Sequence, residues 1–384
     1  MRKGVKPMVI AGAAAFLAAS APMTLLASSP EFARSAQEWE RLRDDVLEYE
    51  EIADLIHEYN VTVQNNQYEY NEFIKDYGRT KEDVSDAYRK LADELESGMS
   101  GEDGMGMVSD FQLELQAKQL REQADDNLED SGIYYLNYSQ AEASLVLSAQ
   151  LKFLSYYKSQ LELESASQQK KVLENSYVLV QTQLQAGTVT QTEVLNAQEA
   201  LLEQEKSIAE LEQQIENTRQ SLIVMCGWKG SGHPQIGDVP EIDLSVIEAI
   251  DLEGDQQLAL ENNYTLQVNK RKLENAKDAD NQAKIKKTIA SNERQIQLSV
   301  SNAWRSLQTA KRSYEQAVSQ KNLEEQNLSL SEQKWNAGMI TQYEYESAQI
   351  AAETKEIAVR TALLELQEAL ETYRWNVNGL ASAE

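Results

Sequence analysis

The sequence predicts an all-α fold of long antiparallel helical hairpins in two tandem repeats. Proline is the first reason. Its five copies stand at positions 7, 22, 30, 234 and 240, so that 31–233 and 241–384 contain none, and a proline in a helix interior costs about 3 kcal/mol. Duplication is the second. Ala186–Gln198 returns as Ala337–Gln349, 151 positions on, with seven of thirteen residues identical. Periodicity is the third. Val194, Leu201, Ile208, Ile215 and Leu222 recur every seven residues, and Tyr345, Ala352, Val359, Leu366 and Tyr373 follow suit in the second copy. A seven-residue stripe needs a neighbouring helix to cover it.

The elements follow in order. Residues 1–33 read as an export signal: Arg2, Lys3 and Lys6 form a basic start, and Met8 to Ala27 is apolar and alanine-rich. That run is also about long enough to remain as an uncleaved membrane anchor. The first repeat spans 34–226. Its entry helix carries Glu58 to Gln64, a segment matched by Glu261 to Gln267 in the second repeat. The offset there is 203 and not 151, so the first repeat holds an insert, 78–132. This insert contains an acidic glycine-rich stretch, Gly98–Gly106, that reads as a flexible loop. A long helix from about Ile133 to Gln185 and a second from Gln191 to about Met225 complete the repeat.

The segment 227–243, with four glycines and both late prolines, reads as the linker. The second repeat, 244–384, predicts an entry helix over about 255–278, a long helix over about 292–336 and a return helix of some 35 residues.

The two turns have a complete local explanation. Gly187 and Gly338 suit the left-handed residue that ends a helix. Thr190 with Glu193, and Thr341 with Glu344, have capping-box spacing. Neither motif accounts for Gln191 and Gln342, or for the repeated pairs Ala197–Gln198 and Ala348–Gln349.

Composition narrows the function classes. The net charge is −27, and losing the basic start makes it more negative, which disfavours nucleic acid as a partner because phosphate needs a basic surface. With two histidines, one cysteine and no phosphate-loop glycines, the chain shows no enzyme signature, no metal-ligand spacing and no cofactor motif. His57 and His233 read as surface groups. Cys226 reads as a small buried apolar residue.

Two long helices, each followed by Gly-x-x-Thr-x-x-Glu and by a helix opening on Ala-Gln, resemble the TolC family of outer-membrane efflux proteins. Asp251 to Asn263 resembles that family's repeat opening, and Cys226 to Trp228 its repeat ending. The resemblance runs from about residue 40 to 380. It implies a homotrimeric α-barrel, or tube, in the cell envelope. The tube's hairpin tips would dock a periplasmic adaptor (membrane fusion) protein that serves an ABC-type or proton-driven inner-membrane pump.

On that resemblance the adaptor-facing residues are Gly187, Thr190, Gln191, Glu193, Gly338, Thr341, Gln342 and Glu344. Glu344 also matches a position that narrows the family's entrance, so capping and gating stand open for it; the next acidic position of the pattern is Ser347. The family's β-barrel strands lie between the entry helix and the long helix of each repeat. Lys277–Ser291 offers no alternating strand there, and the first-repeat insert offers only Phe111–Leu115, so no β-barrel is expected. The competing expectation is a non-channel coiled coil, structural or adaptor-like, in the envelope. A tube helix needs apolar contacts on two sides, and Leu195, Leu202, Leu363 and Leu370 flank the seams as a second stripe would.

Overall fold

A computed structural model describes residues 34–99, 105–228 and 233–384. The predicted export segment lies outside them, as do 100–104 of the predicted acidic loop and 229–232 of the linker. In chain order the elements are α1 (Ala36–Arg41), β1 (Val46–Leu47), α2 (Ile52–Tyr59), α3 (Val61–Tyr77), α4 (Lys81–Ser97), α5 (Met105–Asp125), α6 (Ser131–Gln185) and α7 (Gln191–Met225). They continue with β2 (Gln235–Ile236), α8 (Leu244–Glu248), α9 (Leu252–Asn262), α10 (Tyr264–Asn275), α11 (Ala279–Asn336) and α12 (Gln342–Trp375).

The four long helices form one wall in the order α7, α6, α12, α11. At 1.5 Å per residue α6 and α11 are each roughly 80–90 Å long. The predicted seams are the buried lines of this wall: Val194 and Leu222 against α6, Leu366 and Tyr373 against α11. The inner helices α6 and α12 have a long neighbour on both sides, as a tube wall requires. Leu370 is buried in α12, whereas Leu195 and Leu202 remain more than half exposed, so the second stripe of α7 is left uncovered by the described residues.

The short helices complete the wall end to end with the return helices. Asn60 donates from Nδ2 to the Met225 carbonyl at 2.8 Å, joining the start of α3 to the end of α7. Asn263 donates to the carbonyls of Gly379 (3.2 Å) and Ala381 (2.8 Å), joining the start of α10 to the end of α12. Each asparagine also caps the helix it begins. A left-handed glycine closes each junction. A Cβ on Gly227 (φ +93°) would stand 2.2 Å from Tyr59 Cβ, and one on Gly379 (φ +115°) 2.8 Å from the Asn262 carbonyl. The repeated entry segment is therefore a kink lock.

A belt surrounds these junctions. β1 and β2 pair in parallel, Val46 with Gln235 and Leu47 with Ile236. With α1 and α2 they cover Phe153 and Leu154 of α6 and Leu222 and Ile223 of α7. A second cluster joins Ile247, Ala259 and Leu266 to Ile296, Val300 and Leu307 of α11.

Several expectations are corrected. The segment predicted as linker is docked: Tyr157 donates to the Gly237 carbonyl at 2.5 Å, and Ile236 and Val239 pack on the first core. The entry helix predicted over 255–278 is two helices, because Asn263 breaks it. The long helix predicted from about Asn292 begins at Ala279, capped by Asp278; polar, proline-free sequence there continues the helix because nothing stops it. The described parts of the insert are mainly two helices, α4 packed on α5, and α5 begins at Met105, inside the predicted loop. Phe111 and Leu115, which alternate like a strand, lie exposed on α5 at 66% and 49%. Among the described residues no strand occupies either place where the family's barrel strands are expected.

Candidate functional site

The tips of α6–α7 and α11–α12 are built identically. At the first, Gly187 N–H donates to Leu184 O and Thr188 N–H to Gln183 O, both at 2.9 Å. At the second, Gly338 N–H donates to Trp335 O and Met339 N–H to Lys334 O, both at 2.8 Å. This is the Schellman arrangement, which needs a left-handed residue after the cap; Gly187 has φ +73° and Gly338 φ +68°. The restart is a full capping box in both copies. Thr190 N–H donates to Glu193 Oε2 at 2.5 Å and Glu193 N–H returns to Thr190 Oγ1 at 3.4 Å. The second copy has 2.7 and 3.2 Å for Thr341 and Glu344. These hydrogen bonds from the threonine amides hold both carboxyls below their ordinary range.

Every predicted tip residue is exposed. Gln342 donates to Glu346 Oε1 at 2.8 Å, and Asn175 of α6 reaches the other oxygen of Glu346 at 3.4 Å, tying the two hairpins together near their ends. Glu344 is engaged in its cap within the chain.

The tips differ in their side chains. Trp335 stacks on Tyr345 across the second turn, with centroids 4.8 Å apart and planes 4° from parallel. Met339 is 75% exposed and Tyr343 also faces solvent. The equivalent positions of the first tip hold Leu184, Val194, Thr188 and Thr192. The sequence reading overlooked this cluster, although the aromatic residues on both sides of Gly338 were there to be seen. Electrostatically both tips are acidic: 172–205 contains no lysine or arginine, and 322–354 contains only Lys334.

Away from the tips, His57 is more than a surface group. Its Nδ1 lies 2.7 Å from Glu142 Oε1 on α6, and that hydrogen bond raises its pKa. His233 stands 3.5 Å from Arg219. Cys226 is buried as expected, and burial pushes its thiol up to about 12. Among the described residues, no group of His, Cys, Asp and Glu is arranged to hold a metal ion.

Residues 76–227 match the family described as outer membrane efflux protein. No curated protein matches the chain in sequence. Among solved structures, it is similar to a membrane protein from Pseudomonas aeruginosa (TM-score 0.55, 12% identity, 86% of this chain and 90% of that one). It is also similar to the outer-membrane channel OprN (0.54, 13%, 90% and 92%). The Campylobacter jejuni CmeC outer membrane channel is a third (0.53, 10%, 97% and 95%). The resemblance to the TolC family read from the repeated turns is borne out: residues 76–227 match that family's model, and the described chain has the fold of these channels.

Proposed function

We infer that the chain is the conduit of an efflux or secretion system in the cell envelope. Three copies form a helical tube, the hairpin tips dock an adaptor protein, and substrate passes through the lumen toward the cell exterior. The observation that carries this reading is the pair of identically built tips at one end of a four-helix wall whose inner helices are packed on both sides. A turn usually drifts in sequence, and two turns preserved together at the same end make one composite docking surface.

The chemistry of the tips describes the partner. Tips on which carboxylates outnumber basic side chains favour a basic surface. Trp335, Tyr343 and Met339 are the residue types that anchor interfaces in apolar pockets. The adaptor is therefore a protein with a basic, apolar-pocketed end.

A photo-cross-linking residue placed at Met339 in the full chain, in cells of the source organism, tests the reading. Adducts with an exported protein that carries a long helical hairpin support it. Adducts only with cytoplasmic proteins, or none, sink it.

A further inference from the structure

We propose that at the end of the tube far from the tips neighbouring copies are joined by a charged seam, in which Lys284, Lys287 and Arg294 of α11 on one copy face Glu69, Glu72 and Asp76 of α3 on the next. This rests on the conduit reading and names the residues that close it.

The edges are α11 on one side and the α7–α3 line on the other. Their exposed residues correspond in height. At 1.5 Å per residue, Leu195 and Leu202 stand about 10 and 21 Å above the first tip, while Leu330 and Leu323 stand about 14 and 24 Å above the second. All four are more than half exposed. Each pair is spaced by seven residues, the interval of a packed helix seam. Nothing else in the described chain covers them.

The far half matches by charge. Lys284, Lys287, Arg294 and Leu298 fall at helical spacing on the face of α11 opposite its buried line Asn292, Ile296 and Val300. The first three make no ion pair among the described residues, and of the charged groups between 284 and 294 only Glu293 is acidic. On α3 the face opposite Val63 and Phe73 carries Val61, Tyr68 and Glu72, flanked by Glu69 and Asp76. Lys75 on this face is paired with Glu72 at 3.0 Å within the helix. Heights agree again: Tyr68 and Arg294 both stand about 68 Å above the tips, Glu72 and Asp76 about 74 and 80 Å, and Lys287 and Lys284 about 78 and 83 Å. Tyr68 is 57% exposed, and a guanidinium over an exposed tyrosine face is attracted to it.

Because the two edges are different surfaces, the contact is head-to-tail, and it either closes into a ring or runs on as a filament. The described residues place the α4–α5 hairpin and the short α10–α11 connection at the far end, with no strand there to join neighbouring copies, so side-chain contacts must hold that end of the tube.

Paired cysteines in the full chain read the register, since the one native cysteine is buried. Leu202→Cys with Leu323→Cys tests the near pair, and Tyr68→Cys with Arg294→Cys the far pair, each joined by a short bis-maleimide. Both double variants should give bands that end at the trimer, and the single variants should give none. Lys284→Glu with Lys287→Glu should abolish the far link and keep the near one, and adding Glu72→Lys with Asp76→Lys should restore it. The far link should also weaken between 0.1 and 1 M salt, as the screening length shrinks from about 10 to about 3 Å.

Near links without far links refute the charged seam. A trimer by light scattering with neither link refutes the register and leaves the conduit standing. Cross-linking by single variants shows a symmetric dimer and overturns the proposal. A monomer overturns the proposal and the conduit reading together.

Discussion

Asn263 ties together three backbone groups at the junction of the second repeat. It is buried to 1% exposure; it caps α10 through the Leu266 amide and holds two carbonyls at the end of the repeat. Removing it strands those groups, and each buried unsatisfied group costs roughly 1–3 kcal/mol. Asn263→Ala should therefore lower the unfolding free energy by several-fold more than an exposed Asn→Ala, read by urea denaturation. Gly227→Ala is comparably severe, because its Cβ would meet Tyr59; Gly187→Ala meets nothing within 4 Å and should cost only the left-handed strain, about 1 kcal/mol.

Two titrations also belong to the residue scale. His57 has its pKa raised in the folded state by Glu142. Its stabilisation is thus fully present below the unfolded value near 6.5 and is lost as pH rises through the higher folded value. An NMR titration should find His57 titrating above a model imidazole, and Glu142→Gln should bring it down. Glu193 and Glu344 behave in the opposite sense. Their depressed pKa values make the caps effective above the unfolded carboxyl range, with the effect lost as pH falls through the folded values. Glu344→Gln keeps the hydrogen-bonding shape and removes the charge. An unchanged cation block across a reconstituted channel would leave Glu344 as a cap alone.

At the scale of elements, the insert is the clearest case. Arg121 of α5 pairs with Asp93 and Glu96 of α4, and Arg89 of α4 with Asp86 and with Asp125 of α5, so the α4–α5 hairpin is held together largely by its own contacts. Its base is tied to the second repeat: Asp130 accepts from Arg271 at 2.6 Å and from Asn275 at 2.9 Å. Replacing the hairpin by a short connection such as the one between α10 and α11, while keeping Asp130, should leave the helical circular dichroism per residue and the melting temperature of the wall nearly unchanged. Cooperative loss of the wall would show that the hairpin is part of its core. Of Gly98–Gly106, read as loop, residues 100–104 lie outside the described residues, and α5 takes in the last two positions from Met105. The apolar positions Val84, Ala92, Ala117 and Ala124, all buried, are the periodic signal by which α4 and α5 pair on either side of it.

At the scale of the whole molecule, the two tips share one backbone and differ in side chains, so they should contribute unequally to docking. Trp335→Leu with Met339→Thr gives the second tip the first tip's residues at those two positions. It should weaken binding of a purified adaptor by at least about tenfold, as the loss of interface anchors does, whereas Thr188→Ala with Val189→Ala should change it little. Equal losses from both tips, measured by calorimetry, would contradict this. The exposed leucines of α7 and α11 belong to the same scale: a single copy leaves both edges open, and the proposed tube would cover them with neighbouring copies.

The sequence by itself determined the helices, the turns and the duplication. Those rest on local rules: heptad spacing, absence of proline, a left-handed glycine, and a threonine three residues before a glutamate. Both tips, the α7 boundaries and the burial of Cys226 were legible for that reason. Only the tertiary structure decided which residues are joined across distance. It made Asn60 and Asn263 locks and not loop residues, paired His57 with Glu142, folded the linker onto Tyr157 and set Trp335 against Tyr345. These contacts are closed by three-dimensional packing of segments up to 225 residues apart, as in the bond from Trp375 to Gln150, and no periodicity along the chain encodes which side chain will stand opposite which.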